Sequence, residues 1–292
     1  MATRQLSRSA LAGGTNHEGF LRHRNFRWLK IAGGLCLVSI VAYLLIDQKP
    51  HPNGGSAYGY TLGTIGALLI LWLTMLGLRK RAMTRGRWSL KAWTSAHVYL
   101  GLSLIIVATL HTGFHFGWNV HTLAYVLMMI VILSGMYGIT VYAALPRFLS
   151  NNREETTQTQ MLDTLRSLDR QLHDAAQPLD AGAAELVRRS LEDNPFGGGL
   201  WQRLSGNYPK CPTRIAQLEL RRMARGMRSS VGADPLEKVD MLLERKESAL
   251  TLIRQHLRYK ALLEVWLYIH IPVTFALIAA LAAHIISVFF YW

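Results

Sequence analysis

Five long apolar runs constrain the fold more than any other feature of this chain. Each run has about 19 residues or more with few charges, long enough at 1.5 Å per residue to cross a hydrocarbon core roughly 30 Å thick. Their polar and apolar positions do not alternate as they do in an amphipathic helix or strand. The sequence therefore predicts an all-α integral membrane protein with five transmembrane helices. The runs are Trp28–Ile46, Tyr58–Leu78, Thr94–Phe116, Thr122–Leu145 and, at the end of the chain, about Leu262–Trp292.

The net charge of +14 is concentrated in the segments that flank these runs. Basic residues cluster in the N-terminal arm, residues 1–27, and in the connection from Arg79 to Lys91. Because Lys and Arg favour the cytoplasmic side of a membrane, both segments are expected to be cytoplasmic and the C-terminus to lie outside. The expected location is a bacterial-type inner (plasma) membrane, crossed several times. The lipid bilayer thus explains the charge, and no nucleic-acid partner is expected.

The runs also divide the chain into segments. Helices 1–4 of the bundle are expected in residues 28–145, and a fifth helix, residues 261–292, completes it. Residues 146–260 form an insert with nearly balanced charge and helical leucine spacing, which predicts a helical cytoplasmic subdomain between helices 4 and 5. Its leucine stripes fit either a core or a surface for a partner. The stripes are Met161, Leu162, Leu165, Leu168 and Leu172, and then Leu236, Val239, Leu242, Leu243, Leu250, Ile253 and Leu257.

The last helix of the insert has a clear start but no stop. Asp234, Pro235 and Glu237 are typical of the first turn of a helix, and no breaker follows before Pro272. The helix is therefore expected to continue into the fifth apolar run. Elsewhere in the insert, Gly197–Gly199 follows no strand, so no nucleotide site is expected there.

The ionisable side chains inside the apolar runs are nearly all histidines, and such groups are functional candidates. His97 and His111 in the third run are 14 residues apart, as are His270 and His284 in the fifth. Fourteen residues return a helical side chain to within roughly 40° of its starting face, some 21 Å further along. Helices 3 and 5 both begin in the cytoplasm, so they run parallel. His97 should then lie level with His270, and His111 level with His284.

Two facing pairs of imidazoles are what two bis-histidine haems require. His97 and His270 are the expected ligands of an inner haem iron, and His111 and His284 those of an outer one. Small residues such as Gly63, which would let a flat ring approach a helix, are explained equally well by ordinary helix packing. No CxxCH motif is present, so any haem is expected to be b-type.

His115 is the rival for the outer ligand. Five turns from His97, it is expected on the same helical face but further out, which breaks the match with the fifth helix. His111 and His115 also have an i, i+4 spacing that could bind zinc, although no carboxylate or cysteine stands nearby. His115 and His121 are better candidates for a hydrogen bond to a haem propionate or a quinone. The other histidines are expected on the surface; they are His17, His23, His51, His173 and His256.

The segments HVYLGLSLIIVATLH, beginning at His97, and HIPVTFALIAALAAH, beginning at His270, resemble the ligand helices of di-haem b-type membrane cytochromes. That group includes ferric reductase and NADPH oxidase cores, the cytochrome b of quinol-oxidising complexes and membrane anchors of bacterial dehydrogenases. The resemblance implies haem ligation for these two histidines and for His111 and His284. It covers the bundle and not the insert, and unlike in the reductases no flavin or NAD(P)H domain is expected in this sequence.

The sequence thus predicts transmembrane electron transfer through two haems, as the cytochrome b subunit of a redox complex. The expected partners are a flavin, iron–sulfur or c-type cytochrome protein, with the insert as the cytoplasmic docking surface, and quinone is a further candidate. Two alternatives remain open. One is a self-sufficient quinol-oxidising or quinone-reducing cytochrome b, and the other is a non-redox transporter or scaffold.

Overall fold

The computed structural model describes residues 20–46, 54–81, 89–144, 154–194, 196–226 and 233–290. Within these ranges the regular structure is entirely helical, without a strand. A short 3-10 helix, Phe20–Arg22, precedes nine α-helices in these ranges. The helices are α1 (Arg27–Leu45), α2 (Ala57–Arg81), α3 (Leu90–Thr112), α4 (Val120–Ala144), α5 (Glu154–Ala176), α6 (Ala181–Leu191), α7 (Leu200–Ser205), α8 (Pro212–Gly226) and α9 (Ala233–Phe290).

Helices α1–α4 and α9 are each long and apolar enough to cross a membrane, judged by length and composition. Their surfaces carry large apolar side chains that a water-soluble protein would cover. For example, Leu37 and Leu45 on α1 are 63% and 79% exposed, and Phe289 on α9 is 73% exposed. Several helices could therefore span a bilayer, which indicates a multi-pass membrane protein.

The third helix is as long as the predicted run, but it begins and ends four residues earlier. It begins after Ser89, whose Oγ accepts a hydrogen bond from the Ala92 N–H (3.2 Å), and it ends at Thr112. Gly113 caps the C-terminus in the left-handed region (φ 56°) and donates its N–H to the Leu110 carbonyl. Glycine adopts this conformation without steric cost, so the helix ends here. The apolar run continues for a few residues beyond that end. The predicted end at Phe116 is wrong.

Helix α9 is continuous from Ala233 to Phe290, as expected from the missing breaker, with Pro272 in its interior. The chain divides into two compact units, and α9 contributes to both. The first, called the histidine unit here, falls within Met1–Met136 and Ile269–Trp292. The second, the insert unit, falls within Tyr137–Tyr268.

The leucine stripes form the interior of the insert unit. Leu165, Leu168 and Leu172 on α5 are buried, and so are all seven stripe residues of α9 between positions 236 and 257. Those from Leu168 to Leu172 and from Leu236 to Leu243 cluster with buried residues of α6 and α8, such as Val187 and Leu220. The others, Leu165, Leu250, Ile253 and Leu257, form a second cluster with Cys211. The core interpretation of the stripes is therefore favoured, since buried side chains are not available to a docking partner.

Several polar side chains are buried in the same unit. Lys246 is 1% exposed, and its Nζ lies 2.7 Å from Asp169 Oδ1. It also donates a hydrogen bond to the Ser190 carbonyl (2.6 Å). His256 is also buried, at 5% exposed, so its expected surface position was wrong. It shares a face of α9 with the leucine stripe, where helical spacing carries it into the core.

Candidate functional site

The outer histidine of α3 is held by the backbone of α2. His111 Nδ1 lies 2.7 Å from the Gly59 carbonyl oxygen. A carbonyl can only accept, so Nδ1 must carry the proton and donate it. In the neutral ring this tautomer leaves the lone pair on Nε2, the arrangement found in metal-ligating histidines.

Glycines on and before α2 make room for this ring. A Cβ atom on Gly63 would lie 2.7 Å from His111 Cε1 and 3.0 Å from Nδ1. A Cβ atom on Gly54 would be 3.4 Å from the same Cε1. Gly63 in particular allows the imidazole to lie directly against the helix, because any larger residue would displace it.

His284 of α9 lies opposite His111. Their ring centroids are 6.0 Å apart and the ring planes are nearly perpendicular, at 87°. On its other side His284 meets His121, at the start of α4, with a centroid separation of 4.5 Å and a hydrogen bond between the two Nδ1 atoms. Three histidines from three helices therefore meet at the outer level.

The inner histidine of α3 repeats the arrangement on α2. His97 Nδ1 lies 3.1 Å from the Leu73 carbonyl oxygen, so it too is the protonated nitrogen. The two accepting carbonyls, of Gly59 and Leu73, are themselves 14 residues apart, the spacing of the histidines. Helix α2 thus offers one backbone acceptor at each level.

His270 of α9 is held by a side chain of α4. Its Nδ1 lies 2.8 Å from Ser134 Oγ, and the Ser134 hydroxyl donates to the Val131 carbonyl (2.8 Å). Because the hydroxyl proton is engaged, His270 Nδ1 is the donor in this pair. Gly135 leaves space beside the ring, since its Cβ would be 3.6 Å from His270 Cε1.

His115 is placed differently from the other candidates. It follows the end of α3 and is exposed, and its Nδ1 bonds locally to the Gly113 carbonyl (2.8 Å). The expectation that it continues the face of His97 and His111 is wrong, because Gly113 terminates the helix between them. For the same reason His111 and His115 do not form an i, i+4 helical pair.

No group of three or more His, Cys, Asp or Glu side chains that could hold a metal ion is found in the part of the chain that the structure describes. Sequence reasoning placed His121 near this site as a partner for a haem propionate or a quinone, and it missed the contact with His284. Its only signal was its position in the short connection before the fourth apolar run. The anchoring carbonyls carried no signal, because every residue has one.

The spacing of His111 and His284 fits a bis-histidine haem. Metal–imidazole bonds are about 2 Å long, so two imidazoles on one iron have ring centroids roughly 6 Å apart. The separation of His111 and His284 agrees with this value.

Comparison with protein-family models, with curated proteins and with solved structures gives no match.

Proposed function

We propose that this chain transfers electrons across a membrane through two b-type haems, as the cytochrome b subunit of a membrane redox complex. The inner haem iron is held by His97 and His270, and the outer one by His111 and His284. The observation that carries the proposal is the state of the ring nitrogens. Three of these four histidines donate Nδ1–H to an acceptor on a neighbouring helix, which directs the lone pair of Nε2 away from that helix.

A structural role explains this pattern less well. A histidine that only satisfied helix packing could use either nitrogen, and its partner could be a donor or an acceptor. Here the three Nδ1 partners at Leu73, Gly59 and Ser134 all act as acceptors. Such partners fix the tautomer and orientation of metal-bound histidines and raise their basicity.

The number of ligands is also consistent. A porphyrin supplies four nitrogens to its iron, so a haem needs two protein ligands and not the three or more of a zinc site. The haem, when bound, supplies reversible one-electron chemistry. The protein supplies two neutral imidazoles at each level, holds them in place, and excludes water with the apolar side chains of the bundle.

His121 is expected to orient the fourth ligand. If His284 ligates through Nε2, its Nδ1 carries the proton and donates to His121 Nδ1, the contact seen between them. Both outer ligands would then be tied at Nδ1, as both inner ones are. His115 belongs to neither level in this proposal.

The proposed orientation follows from charge. The basic N-terminal arm and the basic connection between α2 and α3 favour the cytoplasmic side of a bacterial-type inner membrane. The insert between α4 and the apolar part of α9 would then be cytoplasmic too. It would provide the surface for a flavin, iron–sulfur or c-type cytochrome protein. Quinone is the other candidate carrier.

A reduced-minus-oxidised absorbance spectrum of the purified full chain, with a haem count per chain, tests the proposal. We expect a b-type spectrum and two haems. A colourless protein would contradict it and would favour a transporter or scaffold. Adding quinol alone gives a further distinction, since rapid haem reduction without any partner would identify a self-sufficient quinol-oxidising protein.

A further inference from the structure

One end of the histidine unit brings together parts of three helices. Trp28, at the start of α1, lies 6.5 Å from Trp72 of α2, measured between ring centroids. Trp72 in turn stacks on Trp93 in the first turn of α3, at 4.5 Å and 10°. Towards the other end, Tyr43 of α1 meets Tyr58 of α2 at 6.1 Å. The starts of α1 and α3 therefore lie together, beside the later half of α2.

Basic residues flank this stack of tryptophans. Arg27 and Lys91 each lie within two residues of a member of the stack. The Tyr99 hydroxyl of α3 donates a hydrogen bond to the Leu21 carbonyl (3.0 Å), so the segment before α1 is also held to α3. The cations of these elements, most of them exposed, define a surface that we call the basic end: Arg22, Arg24, Arg27 and Lys30, then Arg79 and Lys80 in the last turn of α2, and Lys91.

The described part of the histidine unit has no carboxylate to balance these cations. Its residues 20–46, 54–81, 89–136 and 269–290 include no Asp or Glu. Arg27 and Lys30 are three residues apart on α1, a spacing at which like charges repel. Helices α1 and α3 also begin at the basic end without an acidic residue in the first turn, where the helix dipole is positive. An anion bound from outside the unit would relieve this repulsion.

The anion that a membrane supplies at this level is the phosphate of a lipid headgroup. Helices α1–α3 are each long and apolar enough to cross a membrane, and the basic residues stand at the ends of their apolar stretches. Lys and Arg there can reach the headgroups while their stems cover apolar surface, and tryptophan is enriched in the same layer. The opposite end differs, since residues 45–46, 54–58, 112–121 and 284–290 contain no Lys or Arg.

We propose that the basic end binds the headgroups of anionic phospholipids, with Arg27 and Lys30 of α1 and Lys91 of α3 as phosphate-binding residues. The tryptophan stack holds the helices together, so that the cations of α1 and α3 stay at one level. The proposal depends on these helices crossing a membrane and not on haem binding. It can therefore fail separately from the function proposed above.

The lipid selectivity of the full chain tests the proposal. The chain is reconstituted in nanodiscs of phosphatidylcholine that contain a trace of spin-labelled lipid. The label is a nitroxide on the acyl chain of either phosphatidylglycerol or phosphatidylcholine. Electron paramagnetic resonance then gives, for each lipid, the fraction that is immobilised on the protein.

Two variants with the same loss of charge are compared. The test variant combines Arg27→Gln, Lys30→Gln and Lys91→Gln. The matched control removes one arginine and two lysines from exposed positions of the insert unit, by Lys210→Gln, Arg214→Gln and Lys238→Gln.

We expect the native chain to prefer phosphatidylglycerol about threefold or more, because each basic residue near the surface favours anionic lipid. The control should keep this preference and the test variant should lose most of it. Equal preference in the two variants, or none in the native chain, would overturn the proposal. Displacement of the labelled phosphatidylglycerol by inorganic phosphate, but not by chloride of equal ionic strength, would identify a soluble anion as the occupant and would also overturn it.

Two further measurements separate charge from folding. A charge-preserving variant, Arg27→Lys with Lys30→Arg and Lys91→Arg, should retain the preference, and its loss there would contradict the proposal. In the native chain the preference should weaken as the salt concentration rises from about 0.05 M to about 0.5 M, because salt screens exposed charges. A preference that does not depend on salt would contradict an electrostatic site even if the test variant did not fold.

Discussion

The two compact units both bury polar side chains, but they satisfy them in different ways. In the insert unit the Lys246 ammonium is shared between a carboxylate and a carbonyl, and Arg254 pairs with Asp193 (3.4 Å). In the histidine unit the four candidate imidazoles are half-buried, and each contacts a neighbour through its Nδ1. The first arrangement leaves a charge neutralised, whereas the second leaves a neutral ring with one lone pair directed by its anchor.

This difference suggests a division between stability and ligand binding. The Lys246 ammonium contacts a carboxylate and a carbonyl of its own unit, so it is already engaged within the fold. A histidine anchored at Nδ1 keeps the nitrogen that binds a metal. The surfaces also differ, since Leu172 of α5 and Leu243 of α9 are buried in the insert unit, whereas Leu37 and Leu45 of α1 are exposed.

The largest effect on stability is expected from Lys246. Lys246→Met would leave the Ser190 carbonyl and Asp169 without their partner, at a cost of roughly 2–4 kcal/mol in the free energy of unfolding of the insert unit. The matched control is Lys238→Met on the exposed side of the same helix, with an expected change within about 0.5 kcal/mol. Urea-dependent proteolysis of the full chain measures both. The haem content should not change, and equal effects of the two variants would remove the distinction between the units.

A smaller and more local effect is expected at Gly63. In Gly63→Ala the new Cβ would push the His111 ring off the Gly59 carbonyl, which should weaken binding of the outer haem about 10–100-fold. The inner haem should be retained. Gly77→Ala is the control, since nothing lies within 4 Å of a Cβ at that position of α2. Transfer of haem to excess apomyoglobin measures retention. Equal retention in both variants would contradict a role for the His111 anchor.

Much of the helical framework could be predicted, because apolar length and leucine periodicity are local properties of the sequence. The continuity of α9 and the burial of Leu172 and Leu243 follow from them directly. The end of α3 was missed because Gly113 lies inside an apolar run, where composition does not separate helix from loop. The burial of Cys211, at 4% exposed, was also unforeseen, since it depends on contacts with Asp193 and Arg254.

The candidate site was predictable in part. The 14-residue spacings selected the histidines, since a helix returns to the same face at that interval. Their anchors could not be selected, because a main-chain carbonyl such as that of Leu73 leaves no mark in the sequence. The contact of His121 with His284 depends on how α4 and α9 pack, which side-chain patterns on either helix alone do not specify.

The pairing of histidines across two levels is the central claim, and the haem count of two double variants tests it most directly. His97→Ala combined with His270→Ala should remove one haem, because both changes act on the same inner iron. His97→Ala combined with His111→Ala should remove two, because they act on different irons. Two haems lost from the first variant, or only one from the second, would contradict the account.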